Sequence, residues 1–152
     1  MNEQARGVEP VRQSVMVERS PEDAFRVFTD AMGSWWPLEG FSEGEKPVDV
    51  RLEPRVGGRL YEVGEDGSES DWGEIRAWDP PTRVMFSWHP GHAADRSTEV
   101  EVTFAPERSG TRVDLEHRGW EVYGEEAAEM RGEYVEGWEF VLSQYVEKAN
   151  AA

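Results

Sequence analysis

Two periods of apolar recurrence run along this chain, and the points where one gives way to the other divide it into elements. From Glu126 to Lys148 the period is helical. With Trp138 at the centre of a helical wheel, Met130, Tyr134, Val135, Val141, Leu142, Tyr145 and Val146 fall within about 80° of it. Glu129, Glu133, Glu136, Ser143 and Glu147 take the opposite face. The spacing predicts one amphipathic helix of about six turns, which needs an apolar surface to lie on.

Alternating segments supply that surface. Val11 to Val17 reads as an edge strand after a loose polar tail spanning residues 1–10. Ser20-Pro21-Glu22-Asp23 announces a helix: Ser20 is placed to cap the Asp23 amide, Pro21 suits the first helical position, and two carboxylates face the positive end of the helix dipole. Ala24, Phe25, Phe28, Met32 and Trp35 continue at helical spacing until Pro37, and a break near Gly33 predicts two short helices. From Val48 the period becomes two, with Val48, Val50 and Leu52 on one face and Asp49, Arg51 and Glu53 on the other. Arg59 to Val63, Trp72 to Trp78, the run containing Val84, Phe86 and Trp88, then Val100, Val102 and Phe104, and finally Val113, Leu115 and His117 complete seven strands. Asp66-Gly67, Asp79-Pro80-Pro81-Thr82 and Ser109-Gly110 supply turns between them. With no helix between the later strands, the pattern predicts an α+β domain over residues 11–149: a curved antiparallel meander holding one long C-terminal helix.

Charge narrows the choice of partner. Against 16 basic residues stand 32 acidic ones, a formal charge of −16. Nucleic acid and anionic membranes attract Lys and Arg, so neither is expected as a partner. Only Lys46 and Lys148 are Lys among the basic residues, a bias compatible with genome composition or with a salt-adapted surface. The absence of cysteine excludes disulfide and thiolate chemistry. No apolar run approaches the roughly 20 residues of a membrane helix, and Met1 to Val8 lacks a signal-peptide core, so a soluble cytoplasmic protein is expected.

The residues Ser20-Pro21-Glu22-Asp23-Ala24-Phe25, Trp35-Trp36-Pro37, Gly57-Gly58-Arg59, Trp72-Gly73, Asp79-Pro80-Pro81, Thr111-Arg112-Val113-Asp114-Leu115-Glu116-His117 and Gly137-Trp138 resemble, in order and spacing, the heat-shock-protein ATPase activator homologue family. The resemblance runs from about Val11 to Lys148. It implies the helix-grip fold shared with the birch-pollen allergen, START lipid-binding domains and polyketide cyclases, in which sheet and helix enclose an apolar cavity. The family takes its name from eukaryotic co-chaperones whose client contacts involve an additional N-terminal domain, which is not expected here. Stand-alone members of the superfamily bind lipids, hormones or polyketides, and some are enzymes, so the fold alone does not choose a function.

Three functions follow as expectations: a domain binding a small apolar or amphipathic molecule without metal or organic cofactor, a stress-related module contacting a heat-shock ATPase, or a cyclase- or hydrolase-like enzyme. Either a monomer or a homodimer fits them. Trp36, Tyr61, Trp72, Trp88, Trp120, Tyr134 and Trp138 form an aromatic load that reads either as core or as the lining of a ligand cavity. Trp120 and Tyr123 lie between Gly119 and Gly124, in a loop that is either a lid or simply anchored by its rings. His117 shares the inward parity of Val113 and Leu115. It is a hydrogen-bonded structural histidine or, in an enzyme, the acid or base, with Tyr134 or Glu116 beside it. His89-Pro90-Gly91-His92 with Asp95 resembles a metal-ligand spacing, but Pro-Gly between the histidines describes a loop and no second ligand pair accompanies it. Phe140 falls on the polar face of the helix, where it could meet a partner or second copy. Arg131 falls only about 20° from Trp138 on the wheel, inside the apolar arc. A guanidinium there must extend past the sheet, pair with Glu116 or Asp114, or receive the carboxylate of an amphipathic ligand.

Overall fold

The alternating segments form one seven-stranded antiparallel sheet, seen in a computed structural model that describes residues 8–38, 46–90 and 92–151. Its strands are β1 (Val11–Val17), β2 (Pro47–Leu52), β3 (Arg59–Gly64), β4 (Glu69–Asp79), β5 (Arg83–Trp88), β6 (Thr98–Glu107) and β7 (Gly110–Arg118), ordered β1-β7-β6-β5-β4-β3-β2. Strands β2 to β7 are a meander in which β5 and β6 are joined by the longer stretch 89–97, and β1 closes the far edge by pairing Val11 with His117 and Val17 with Thr111. The period of two is clearest in β7, where Thr111, Val113, Leu115 and His117 are all buried. In β6, Thr98, Val100, Val102 and Phe104 are buried likewise.

Among the described residues, two short helices and one long one cover the inner face. Helix α1 (Pro21–Thr29) starts as its sequence requires, the Ser20 hydroxyl accepting from the Asp23 amide at 3.2 Å with Pro21 in the first turn. Helix α2 (Met32–Trp35) follows after a break at Asp30 and Ala31, earlier than Gly33. Gly33 serves a different purpose: a Cβ there would lie 1.7 Å from Asp49 Oδ1, so glycine lets α2 approach β2. Helix α3 (Ala127–Ala151) is preceded by tighter helical turns over Trp120–Glu126, kinked at Gly124, whose φ is 56°. Its buried residues are Ala127, Trp138, Val141, Leu142, Tyr145 and Ala149, and Glu129, Glu133, Glu136, Ser143 and Glu147 are exposed as the wheel requires. Each fully buried large side chain of that stripe contributes on the order of 1.5–3 kcal/mol.

Helix α3 is also stitched along the edge strand. Gln13 Nε2 donates to the Val135 carbonyl at 3.3 Å, Arg19 Nε donates to the Ala149 carbonyl at 2.8 Å, and the Glu18 amide donates to Asn150 Oδ1 at 2.8 Å. Tyr145 ties the helix to α1, its hydroxyl donating to the Ala24 carbonyl at 2.7 Å. Sheet, long helix and short N-terminal helices therefore stand in the helix-grip arrangement that the resemblance implies.

One strand departs from its alternation. Val48 is 54% exposed although Val50 is buried, because the β2–β3 register shifts between Pro47 and Asp49 and takes Val48 off the inner face. A register shift also separates Leu60 from Tyr61 in the β3–β4 pair, leaving Trp72 as the extra residue between Asp71 and Gly73. Strands β4 and β5 come so close at Gly73 that a Cβ would lie 1.7 Å from the Ser87 carbonyl oxygen. Gly73→Ala is therefore expected to destabilise the fold by about 1–3 kcal/mol or more, since main chain must move. Gly132→Ala, on the open face of α3 with no atom within 4 Å, should stabilise it by about 0.5–1 kcal/mol. Urea unfolding of the two variants checks the opposite signs.

Candidate functional site

Between the inner face of the sheet and α3, four tryptophans from four elements meet. Trp36 follows α2, Trp72 and Trp88 point inward from β4 and β5, and Trp138 descends from α3. Ring centroids stand 5.0 Å apart for Trp36–Trp72, 5.9 Å for Trp36–Trp88 and 5.9 Å for Trp36–Trp138. Trp72–Trp88 is 5.4 Å and Trp88–Trp138 is 5.3 Å. These tilted and edge-on contacts are the arrangements that aromatic quadrupoles favour. All four rings are buried. Tyr134 extends the cluster, its hydroxyl accepting from Trp88 Nε1 at 3.0 Å. Trp120 stacks on His117 with centroids 4.3 Å apart.

His117 is the hub of a buried hydrogen-bond chain. Trp138 Nε1 donates to its Nδ1 at 2.9 Å, and its Nε2 lies 2.6 Å from Thr98 Oγ1. The Thr98 hydroxyl donates onward to the Trp88 carbonyl at 3.2 Å. An indole N–H can only donate, so Nδ1 is an acceptor and the proton of the neutral ring resides on Nε2. Burial pushes the imidazole pKa down to about 3. Both nitrogens are thus occupied within the protein, which is the arrangement of a structural histidine. The Trp120 indole adds a bond to the His117 carbonyl at 3.0 Å.

Tyr61 is on the opposite face of β3 from Leu60, under the Arg59 guanidinium at 4.1 Å, and is separate from the tryptophan cluster. Arg131 is half-buried, but it pairs with neither Glu116 nor Asp114. It donates to the main-chain carbonyls of Glu9 at 2.6 Å and Pro10 at 3.2 Å, fixing the chain as it enters β1. Tyr123 is buried against the His92 ring at 5.3 Å, so the segment between Gly119 and Gly124 is anchored by its rings. His89 Nδ1 is 3.1 Å from the His92 carbonyl oxygen, and Gly91 lies outside the described residues. Among the described residues no group of three or more His, Asp or Glu is placed to hold a metal. Phe140 is 47% exposed on α3. No described helix is long and apolar enough to cross a membrane.

Two polar residues of the site were not singled out from sequence. Thr98 shares the inward parity of Val100 and Val102, a hydroxyl diagonal to His117, whose ladder partner is Val100. Glu62 shares the parity of Leu60, is only 2% exposed, and accepts from Trp72 Nε1 at 2.9 Å. The signal in both cases was a polar residue at an inward position of an alternating strand.

A family model described as Activator of Hsp90 ATPase homolog 1-like protein matches residues 18–147, and the chain belongs to that family. Among solved structures, protein MLL2253 from Mesorhizobium loti is similar at a TM-score of 0.68 with 19% identity, over 91% of this chain and 94% of that one. The Aha1 dimer from Colwellia psychrerythraea gives 0.66 and 16%, over 94% and 97%. An anthrahydroquino-γ-pyrone synthase, Txn09, solved in complex, gives 0.61 with 33% identity, over 92% and 96%. No protein of curated function matches the sequence.

The His117 geometry makes stability depend on pH with a definite sign. The unfolded imidazole titrates near 6.5 and the folded one near 3, so acid protonates the unfolded state first. The contribution is complete above about 6.5 and is lost as pH falls through that value towards 3. Relative to His117→Gln, which is expected to be less stable at neutral pH, the wild type should lose roughly 1–2 kcal/mol between about pH 6.5 and pH 5. Denaturant unfolding of both proteins across that range tests it; parallel pH curves would contradict a buried neutral ring.

Proposed function

We propose that the chain binds a flat, predominantly apolar small molecule between sheet and α3, against the Trp36–Trp72–Trp88–Trp138 cluster. The observation that carries this reading is the convergence of four indoles from four elements on one place, with the Glu62 carboxylate buried at its edge. Aromatic walls with a few fixed polar groups are how proteins recognise small ring systems. The rings touch one another, so an entering molecule exchanges ring–ring contacts for ring–ligand contacts, at small net cost in apolar burial. The relative that is 33% identical bears the name of a synthase for a fused aromatic pyrone, which favours a flat polycyclic ligand over a lipid chain.

That relative also favours a second reading, ring-forming catalysis in the same place. His117 does not suit the role of base in it, because Trp138 and Thr98 take both ring nitrogens and burial holds the ring neutral. The chaperone-regulating reading draws on the family description and on the Aha1 dimer neighbour, which also makes a homodimer a reasonable assembly.

Titration with 2,6-dihydroxyanthraquinone should quench tryptophan emission saturably. Trp36→Leu, which removes the ring touching all three others, should weaken binding by about tenfold or more, as truncation of an aromatic anchor does. Trp35→Phe, whose indole instead bonds the Val27 carbonyl at 2.8 Å, should change affinity by no more than about threefold. Quenching that never saturates, or equal affinity in Trp36→Leu, would remove the reading.

A further inference from the structure

Glu62 is a buried carboxylate at the edge of the aromatic cluster, beside Trp72. Strand β3 sends Leu60 and Glu62 inward, and Glu62 stands across the ladder from Val50 on one side and Ser70 on the other. One carboxylate oxygen receives the Trp72 indole N–H. The same residue lines a groove of about 530 Å³ whose other walls include Lys46, Glu65, Asp66, Ser68 and Ser70. Glu62 therefore touches both Trp72 and the groove, and a molecule lying from one to the other passes its carboxylate.

We propose that Glu62 is the polar anchor of the ligand site and that it selects hydroxylated flat aromatics, accepting a hydrogen bond from a phenol or enol hydroxyl of the bound molecule. This rests on the flat-ligand reading and gives the chemical class of that ligand. The physical grounds are three. An ionised carboxylate only accepts hydrogen bonds and offers about four lone-pair sites, so a ligand hydroxyl can join the bonds Glu62 already makes. Hydrogen bonds to an ionised acceptor are about twice as strong as neutral ones, so a donor hydroxyl gains most there. The groove carries Glu62, Glu65 and Asp66 against Lys46, on a chain of net charge −16, so a ligand carboxylate is repelled. Ser68 and Ser70 supply hydroxyls suited to a second oxygen of the ligand. The polar end of the ligand is thus a donor at Glu62, at the opposite side of the choice from an anion held by Arg131, whose N–H groups already serve Glu9 and Pro10.

Three probes on one skeleton test this by tryptophan quenching at about pH 6: 2,6-dihydroxyanthraquinone, 2,6-dimethoxyanthraquinone and anthraquinone-2-carboxylate. The wild type should bind the dihydroxy probe about tenfold or more tightly than the dimethoxy probe, and the carboxylate most weakly. Glu62→Gln keeps the shape and an oxygen for Trp72 while removing the charge. It should cost the dihydroxy probe about tenfold, leave the dimethoxy probe within about twofold, and improve the carboxylate. A purely structural Glu62 would weaken all three alike. Equal wild-type affinity for dihydroxy and dimethoxy probes, or a preference that survives Glu62→Gln, overturns the assignment of Glu62 while the flat-ligand reading stands. If no probe binds the wild type, both fall together. Should Glu62→Gln fail to fold, the order of the three probes on the wild type decides.

Discussion

The hydrogen bond from Trp138 Nε1 to His117 Nδ1 fixes how the long helix lies on the sheet. It is the only direction in which that pair can bond while the imidazole remains neutral, and it passes the constraint along a chain to Thr98 and the Trp88 carbonyl. Three strands and the helix are thereby held in one register: β7 through His117, β6 through Thr98, β5 through Trp88 and α3 through Trp138. Sliding the helix by a turn would strand an indole N–H and an imidazole nitrogen in a dry interior, at a cost of about 1–3 kcal/mol for each. Non-directional apolar packing alone would tolerate neighbouring positions; the hydrogen bond does not.

The same logic runs through the aromatic interior. Trp35 bonds the Val27 carbonyl, Trp72 bonds Glu62, Trp88 bonds Tyr134, Trp120 bonds the His117 carbonyl, and Tyr145 bonds the Ala24 carbonyl. Each large ring contributes apolar area and is oriented by one polar handle. Among the described residues the aromatic interior falls into two joined groups. One lies under α1 and α2, with Phe25, Phe28, Trp35, Phe104 and Tyr145 in edge-on or tilted contact. The other is the tryptophan cluster under Tyr134 and Trp138. Trp35 and Trp36, adjacent in sequence with centroids 6.0 Å apart, join them.

The outer face of the sheet solves a different problem, the density of charge. Glu101 on β6 receives both Arg83 and Arg118, and the Arg83 guanidinium foremost holds its carboxyl below the usual carboxylate range. Arg112 similarly bridges Glu107 and Asp114. Such partly exposed pairs stabilise little individually. Their arrangement across strands nonetheless neutralises part of the acidic excess where β6 and β7 carry like charges opposite each other, as Glu101 and Glu116 do.

The alternation of β7, the stripe centred on Trp138 and the Ser20-Pro21 helix start are local signals, set by the two periods of the backbone and by capping chemistry, and they determined the elements, the antiparallel sheet and the family. Parity alone also marked His117 as inward. What parity could not supply was the partner. Arg131 meets Glu9 and Pro10, 122 and 121 residues away, and Tyr145 meets Ala24 across 121. The tautomer of His117 depends on Trp138 and Thr98, and the outward turn of Tyr61 and inward turn of Glu62 depend on which face of β3 the meander buries. Val48 left the inner face because of a register shift that no periodicity records. Local sequence determines which conformation a segment prefers. Only the closed tertiary structure decides which donor finds which acceptor, because a buried polar group is constrained by the sum of contacts from segments far apart in the chain.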